Sequence, residues 1–201
     1  MLDGQDIADA LDGAVRGDEA SFTVLWRALN PPLLRYLRVL IPAACEDVAS
    51  ETWLQASRDL GAFTGDARAF QVWLFRIGRN RAIDEGRRNR RTLDEPVAVL
   101  PEQRSHDDTA QDALTAMATR RALAAIAELP RDQAEAVLLR AVAGLSAEQA
   151  GSVVGKRAGA VRVAAMRGLR TLKKRLDKAA EPEKSLVKGV ARTGSRAGVT
   201  R

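Results

Sequence analysis

Apolar residues recur three and four positions apart along nearly the whole chain, and that spacing fails only once, between Thr92 and about Ala113. This spacing puts side chains on one face of a helix. A half-buried strand needs strict alternation instead, which Ile, Val and Thr nowhere sustain here. The expected fold is all-α: two small helical domains joined by a flexible linker. A length of 201 residues has room for that and little more.

Ile7, Leu11, Ala14 and Val15 predict a first helix, broken at Gly17-Asp18. Phe22, Leu25, Trp26 and Leu29 predict a second, stopped at Asn30-Pro31-Pro32 because proline cannot donate to the helical ladder. Leu33, Leu34, Leu37, Leu40 and Ile41 predict a third, ending near Pro42, and Val48, Thr52, Leu54 and Leu60 a fourth. The glycines of Gly61-Ala62-Phe63-Thr64-Gly65-Asp66 mark a loop. A fifth helix follows from about Arg68 through Phe70, Trp73, Leu74 and Ile77. Pro96, Pro101 and a cluster of Ser, His, Asp and Thr read as an acidic, flexible linker. Periodicity returns at Leu114, Met117 and Leu123, and Pro130 opens a helix running through Val137 and Leu138 to Gly144.

All eight aromatic residues lie before residue 76, so the second half must build its core from Leu, Val, Ile and Ala. Two modules with different cores are expected. A single cysteine (Cys45) and a single histidine (His106) exclude a disulfide framework and any usual zinc site. They also remove the Cys–His and Ser–His–Asp pairings of covalent catalysis, unless His106 acts alone. No apolar run approaches the roughly 20 residues of a membrane span. The start Met1-Leu2-Asp3-Gly4-Gln5-Asp6 lacks the basic-then-apolar order of a signal peptide. A cytoplasmic chain with no cofactor, no membrane insertion and no enzymatic activity is expected.

The net charge of +6 is unevenly spread. Residues 70–91 carry 7 basic and 2 acidic side chains, and residues 119–178 carry 13 and 5. Between them, residues 92–118 carry 1 and 6, and residues 1–69 carry 6 and 11. Two basic blocks separated by an acidic spacer suit two nucleic-acid-facing surfaces. Two solvated helix faces would look the same.

The second block has finer detail. Ser146 can cap a helix start, Gln149 three residues later completes a capping box, and Leu145 and Ala150 can staple it. That helix is short, closing at Gly155, and another begins near Ala158 and continues to about Lys178. At roughly 100° per residue, Val161, Ala165, Leu169, Leu172 and Leu176 fall on one side of this second helix. Arg162, Arg167, Arg170, Lys173 and Lys174 fall on another. Two helices joined by a short glycine-containing turn, the second strongly basic, form a helix-turn-helix pattern, whose second helix can enter a major groove. An ordinary amphipathic surface helix is the bland alternative. In the first block, aromatics mix with arginines from Phe70 to Arg91, a composition that holds single strands by stacking and by cations along the backbone. Phe70, Trp73 and Ile77 share a face and read as core, whereas Phe63 in its loop is the better candidate for a base contact.

The order of these elements resembles a known family. Gly17-Asp18-Glu19-Ala20-Ser21-Phe22, then Glu46-Asp47-Val48-Ala49-Ser50-Glu51-Thr52-Trp53, then Phe63 and Phe70 to Asn80, resemble domain two of extracytoplasmic-function sigma factors. Leu129-Pro130, Val137-Leu138-Leu139-Arg140, Gly144-Leu145-Ser146, Gly155 and Gly159-Ala160-Val161-Arg162 resemble their domain four. The resemblance covers about residues 10–178. It implies a factor that gives core RNA polymerase its promoter specificity, and the boundaries follow. Domain two would span 1–92, the linker 93–117 and domain four 118–178, with a basic, disordered tail at 179–201.

The resemblance also implies roles. Asp47 and Glu51, one turn apart, would dock with Leu54 and Gln55 on the clamp of the largest polymerase subunit, and domain four would dock on the flap. Phe63, Gly65, Asp66, Ala67 and Arg68 would capture a flipped base of the minus-ten element. Trp73, Arg76, Asn80, Arg87 and Arg88, with the arginines flanking Asn80, would meet that element's upstream edge and phosphates. Lys156, Arg157, Arg162, Val163, Met166, Arg167, Arg170, Lys173 and Lys174 would meet the minus-thirty-five element in duplex form. An anti-sigma protein is an implied partner. The sequence departs from the family at Ser50, where glutamine is usual, and at Lys156, Arg157, Val163 and Ala164 around the recognition helix. A stand-alone helix-turn-helix regulator would explain residues 119–178 but not the pattern from Phe63 to Arg91. An enzyme would have to use carboxylates such as Asp47, Glu51, Asp107 and Asp108 with a divalent metal.

Overall fold

A computed structural model describes residues 4–92 and 110–193; residues 1–3, residues 93–109, which hold most of the expected linker, and residues 194–201 lie outside it. Every regular element described is helical: α1 Gly4–Val15, α2 Glu19–Leu40, α3 Cys45–Asp59, α4 Ala67–Thr92, α5 Ala110–Ala127, α6 Arg131–Val137, α7 Ala147–Val154 and α8 Ala158–Thr193. The first four form one bundle and the last four a second.

Asp18 starts α2. Its carboxylate accepts the backbone N–H of Ser21 at 2.9 Å and also the Ser21 hydroxyl. These bonds, the hydroxyl first, hold the Asp18 carboxyl below its ordinary range. The expected stop at Asn30-Pro31-Pro32 does not occur, because α2 runs unbroken through both prolines. Leu25, Leu29, Leu33 and Leu37 are buried at four-residue spacing on either side of them, so the apolar stripe never changes face. Interior proline costs about 3 kcal/mol. Each buried leucine contributes about 2 kcal/mol, and four of them on one straight stripe outweigh the local loss. Asn30 also finds a tertiary partner, its Oδ1 accepting from Trp53 Nε1 at 3.1 Å.

Rings close the first core. Tyr36 packs on Phe75 with centroids 5.6 Å apart, and Phe22 meets Trp53 edge-on. The second core is aliphatic: Leu123, Ile126, Leu129, Val137, Leu138, Leu139, Leu145, Val153 and Val161 are buried. The two do not remain separate as expected. Their buried residues form one continuous cluster across the seam between the bundles.

Two boundaries move. Helix α5 starts at Ala110, so residues 110–117, expected in the linker, are helical. Helix α8 continues to Thr193, through much of the expected disordered tail. That stretch holds the helix formers Ala179, Ala180, Glu181, Glu183, Lys184 and Leu186 but also Pro182, so local propensity alone does not explain its length. Leu169 and Leu176, placed on the packed face by the helical wheel, are 52% and 67% exposed. Helix α8 packs tightly on α6 at Gly168, where an added Cβ would lie 2.8 Å from Val137 Cγ2. Leu169 is one position off that line of contact.

Candidate nucleic-acid interface

The loop before α4 is held by its own ends. A short 3-10 turn, Leu60–Ala62, leads into extended Phe63. Asp66 caps α4, its Oδ1 accepting the N–H of Ala69 at 2.7 Å. Gly65 sits at φ +149, and an added Cβ would lie 2.9 Å from Ala69 Cβ, so only glycine fits. The resulting bend folds Phe63 back onto α4. Its ring lies 5.2 Å from Trp73 and 5.5 Å from Phe70. Phe70 is fully buried and forms the floor beneath both.

The rings of Phe63 and Trp73 and the exposed side chains of Arg68 and Arg76 line a cleft of about 770 Å³. Thr64, Asp66 and Val72 contribute to it, as do Glu148, Gln149 and Ser152 of α7. Phe63 is therefore a half-buried wall of the cleft rather than a free tip, and Trp73 is a second wall rather than core. Flat apolar surface beside guanidinium groups is what an unstacked base with its phosphate requires.

Further along α4, Arg76 and Asn80 are exposed on one face. The arginines flanking Asn80 do not join them, since each points about 100° away. Arg79 turns inward to Glu135 at 2.9 Å. Arg81 turns to α3, where its Nη1 donates to Glu51 at 2.6 Å and its Nε and Nη2 donate to Gln55 Oε1 at 3.2 and 3.0 Å. Arg87 and Arg88 are surface side chains, each 3.5 Å from a carboxylate of its own helix, Asp84 and Glu85. Such pairs contribute little and exchange readily for a phosphate.

On α3, Asp47 and Glu51 are exposed one turn apart, with Leu54 half-exposed beside them. Buried Thr52 donates to the Val48 carbonyl at 2.6 Å, and Trp53 anchors the opposite side of the helix to α2. An acidic surface with an exposed leucine at its centre results, braced by Arg81.

The helix-turn-helix forms as its local signals predict. Ser146 and Gln149 make both bonds of the capping box, at 3.1 and 2.7 Å. Gly155 ends α7 at φ +69, and α8 begins three residues later. Arg157, Arg162, Val163, Met166, Arg167, Arg170, Lys173 and Lys174 are all exposed along α8 and the turn before it. Two of the expected contacts are engaged internally. Lys156 pairs with Asp132 at 2.6 Å, and Arg162 pairs with Glu148. Hydrogen bonds at the start of α7, from its own N–H first and then from Ser146, lower the Glu148 carboxyl, with Arg162 adding to the effect.

Sequence reasoning missed the polar groups at the seam. Gln71 and Glu135 are buried, and each lies in an otherwise apolar stretch, Phe70 to Phe75 and Ala134 to Val137. A polar residue on an apolar face must find a partner, and that was the available signal. Among the described residues no helix is long and apolar enough to cross a membrane.

Comparisons with known proteins agree with this geometry. The family description "Sigma-70 region 2" matches residues 25–92, and "Sigma-70, region 4" matches residues 119–172. The extracytoplasmic-function (ECF) RNA polymerase sigma factor BldN of Streptomyces coelicolor is 32% identical over 85% of this chain and 66% of its own length. The ECF sigma factor SigD of Mycobacterium tuberculosis is 31% identical over 86% of this chain and 84% of its own. Among solved structures, CnrH in complex with the cytosolic domain of CnrY superposes with a TM-score of 0.60 at 23% identity, over 86% of this chain and 98% of that one. The sigma factor RpoE of Bartonella quintana, bound to the anti-sigma factor NepR, gives 0.57 at 24% identity, over 78% and 96%. These last two show a shared fold. The matched regions, in order and on their own bundles, together with the relatives above 30% identity, place the chain in the ECF group of the sigma-70 family of RNA polymerase sigma factors.

Proposed function

We propose that the chain binds core RNA polymerase and directs promoter-specific initiation through two different readings of DNA. The observation that carries this reading is the pairing, on one chain, of an aromatic cleft rimmed by Arg68 and Arg76 with a capped helix-turn-helix bearing an exposed basic helix. The cleft suits single-stranded minus-ten DNA, and α8 suits a duplex minus-thirty-five element. The acidic surface of Asp47, Glu51 and Leu54 would meet the clamp of the largest polymerase subunit, and domain four would meet the flap. The work is binding and strand opening in the cytoplasm, with no catalytic step of the chain's own. A stand-alone regulator is not favoured, because the region 2 match covers residues 25–92, which that reading leaves without a role.

An anti-sigma protein that grips both domains is the regulator we expect. The solved relative from Bartonella quintana is in complex with an anti-sigma factor. The test of the whole reading is co-purification with core polymerase followed by run-off transcription. The parent chain should do both. The double change Asp47→Lys with Glu51→Lys should abolish association while helicity is unchanged. A folded double variant that still binds core enzyme would show that the docking surface lies elsewhere.

A further inference from the structure

One arginine joins the surface expected to meet the polymerase to the helix expected to meet DNA. Gly78 lets the helices approach, since an added Cβ there would lie 3.1 Å from Leu33 Cδ1 of α2 and 3.5 Å from Thr52 Oγ1 of α3. Arg81 follows one turn later on α4, and its guanidinium lands on α3. Nη1 donates to Glu51 Oε2 at 2.6 Å, and Nε and Nη2 donate to Gln55 Oε1 at 3.2 and 3.0 Å. Gln55 is also tied at its other end, its Nε2 donating to Asp59 Oδ2 at 3.5 Å. Three donors in a rigid fork thus hold two side chains one turn apart. A lysine, a point charge on a flexible stem, does not reproduce that geometry.

Folding stability does not account for the arrangement. The Arg81 and Glu51 side chains are 33% and 56% exposed, and an ion pair so hydrated adds little to folding. Helix α3 is in any case anchored by buried Val48, Thr52 and Trp53. What the fork removes is freedom. Glu51 and Gln55 stand on either side of Leu54, which is 50% exposed. Left loose, both would lose rotamer freedom when a partner bound; held by Arg81, they have lost it beforehand. Among the described residues no other donor takes Glu51, so Oε1 is open to a second one. The Arg81 charge acts the other way, opposing a basic partner. Water and salt screen that repulsion, whereas lost rotamer freedom is not screened.

We propose that Arg81 is a positioning residue for polymerase docking: it touches neither polymerase nor DNA, and holds Glu51 and Gln55 around Leu54 in the arrangement that a basic surface of the polymerase accepts. The inference rests on the docking surface proposed above. Ordering two long side chains in advance should tighten association about five- to tenfold.

The test measures association of the full-length chain with core RNA polymerase by fluorescence anisotropy. Arg81→Ala should bind about five- to tenfold more weakly, with helicity and urea midpoint close to the parent's. Arg81→Lys keeps the charge without the fork and should recover only part of the loss. Arg81→Ala is then repeated in a Glu51→Ala, Gln55→Ala background, where nothing remains to be positioned, and the further loss should be below about twofold. A loss that persists there would mean that Arg81 touches the polymerase itself, and would overturn the proposal. So would full rescue by Arg81→Lys, or a folded Arg81→Ala that binds as well as the parent. If Arg81→Ala does not fold, Arg81→Lys decides: weaker binding upholds the fork, and the parent's affinity overturns it. Failure of the docking surface itself reads differently, because the Asp47→Lys, Glu51→Lys variant would then bind as the parent does.

Discussion

The two domains position their DNA-facing groups by different means. In the first, the cleft exists because three rings stack: Phe63 folds back on Trp73, and both rest on buried Phe70. In the second, the reading helix is placed by backbone devices, a capping box at Ser146 and a left-handed residue at Gly155, over a core of small aliphatic side chains. One surface depends on side-chain packing across 63, 70 and 73, and the other on hydrogen bonds within a few residues. Damage should therefore spread differently. A core change in the first domain should distort its binding surface directly, whereas a cap change in the second should loosen a helix whose exposed side chains are unaltered.

The largest expected effect follows from the ring stack. Phe70→Ala removes the buried ring that supports Phe63 and Trp73 and should cost about 3–5 kcal/mol in urea denaturation. Single-strand binding should fall with it, while duplex binding by the second domain is retained. Equal loss of both activities would mean that the second domain depends on the first for its own fold.

Next in size is the comparison of caps. Ser146→Ala should cost about 1 kcal/mol, read as a lower melting point and weaker duplex binding. Asp66→Ala removes an equivalent bond from the start of α4, yet α4 has 26 residues and α7 has 8. The shorter helix has fewer other interactions to hold it, so the effect on its function should be the larger. Hydrogen exchange at the first turn of each helix distinguishes the two.

The smallest effect is electrostatic. Asp18 has its carboxyl lowered from 3.8 by the Ser21 bonds that cap α2. A lowered folded value stabilises the native state above the unfolded value near 3.8, and that stability is lost as pH falls through the folded value. The urea midpoint should therefore decline below about pH 4, and Asp18→Asn should flatten that part of the decline. A profile unchanged by the substitution would remove the cap from the account.

These differences also explain what was legible in the sequence. The helix-turn-helix could be read directly because its signals are local: Ser146 to Gln149 spans three residues, and Gly155 acts through its own backbone. The cleft could be read only in part. Phe63 and the loop are visible, but spacing alone groups Trp73 with core residues Phe70 and Ile77, because it says which residues share a face and not how deeply that face is covered; only the family resemblance marks Trp73 for DNA. The arginines flanking Asn80 were grouped by proximity in sequence, and helical geometry sends them to opposite sides. Pro31 and Pro32 misled for a related reason. Their local penalty is plain in the sequence, while the leucine stripe that overrides it acquires its value only from packing. The contacts across the seam are least legible, since Gln71 and Ala143 are far apart in sequence and no local pattern pairs them.

By the function proposed above, one domain reads separated strands and the other reads duplex. Reconstituted transcription with core polymerase tests it most directly, with closed-complex formation and promoter opening followed separately for Phe63→Ala and Arg162→Ala. Phe63→Ala should form closed complexes nearly as well as the parent and fail to open them. Arg162→Ala should lose about 1–3 kcal/mol of duplex discrimination, while the complexes that do form open normally. Normal opening by Phe63→Ala, together with blocked opening after normal duplex binding by Arg162→Ala, would contradict it.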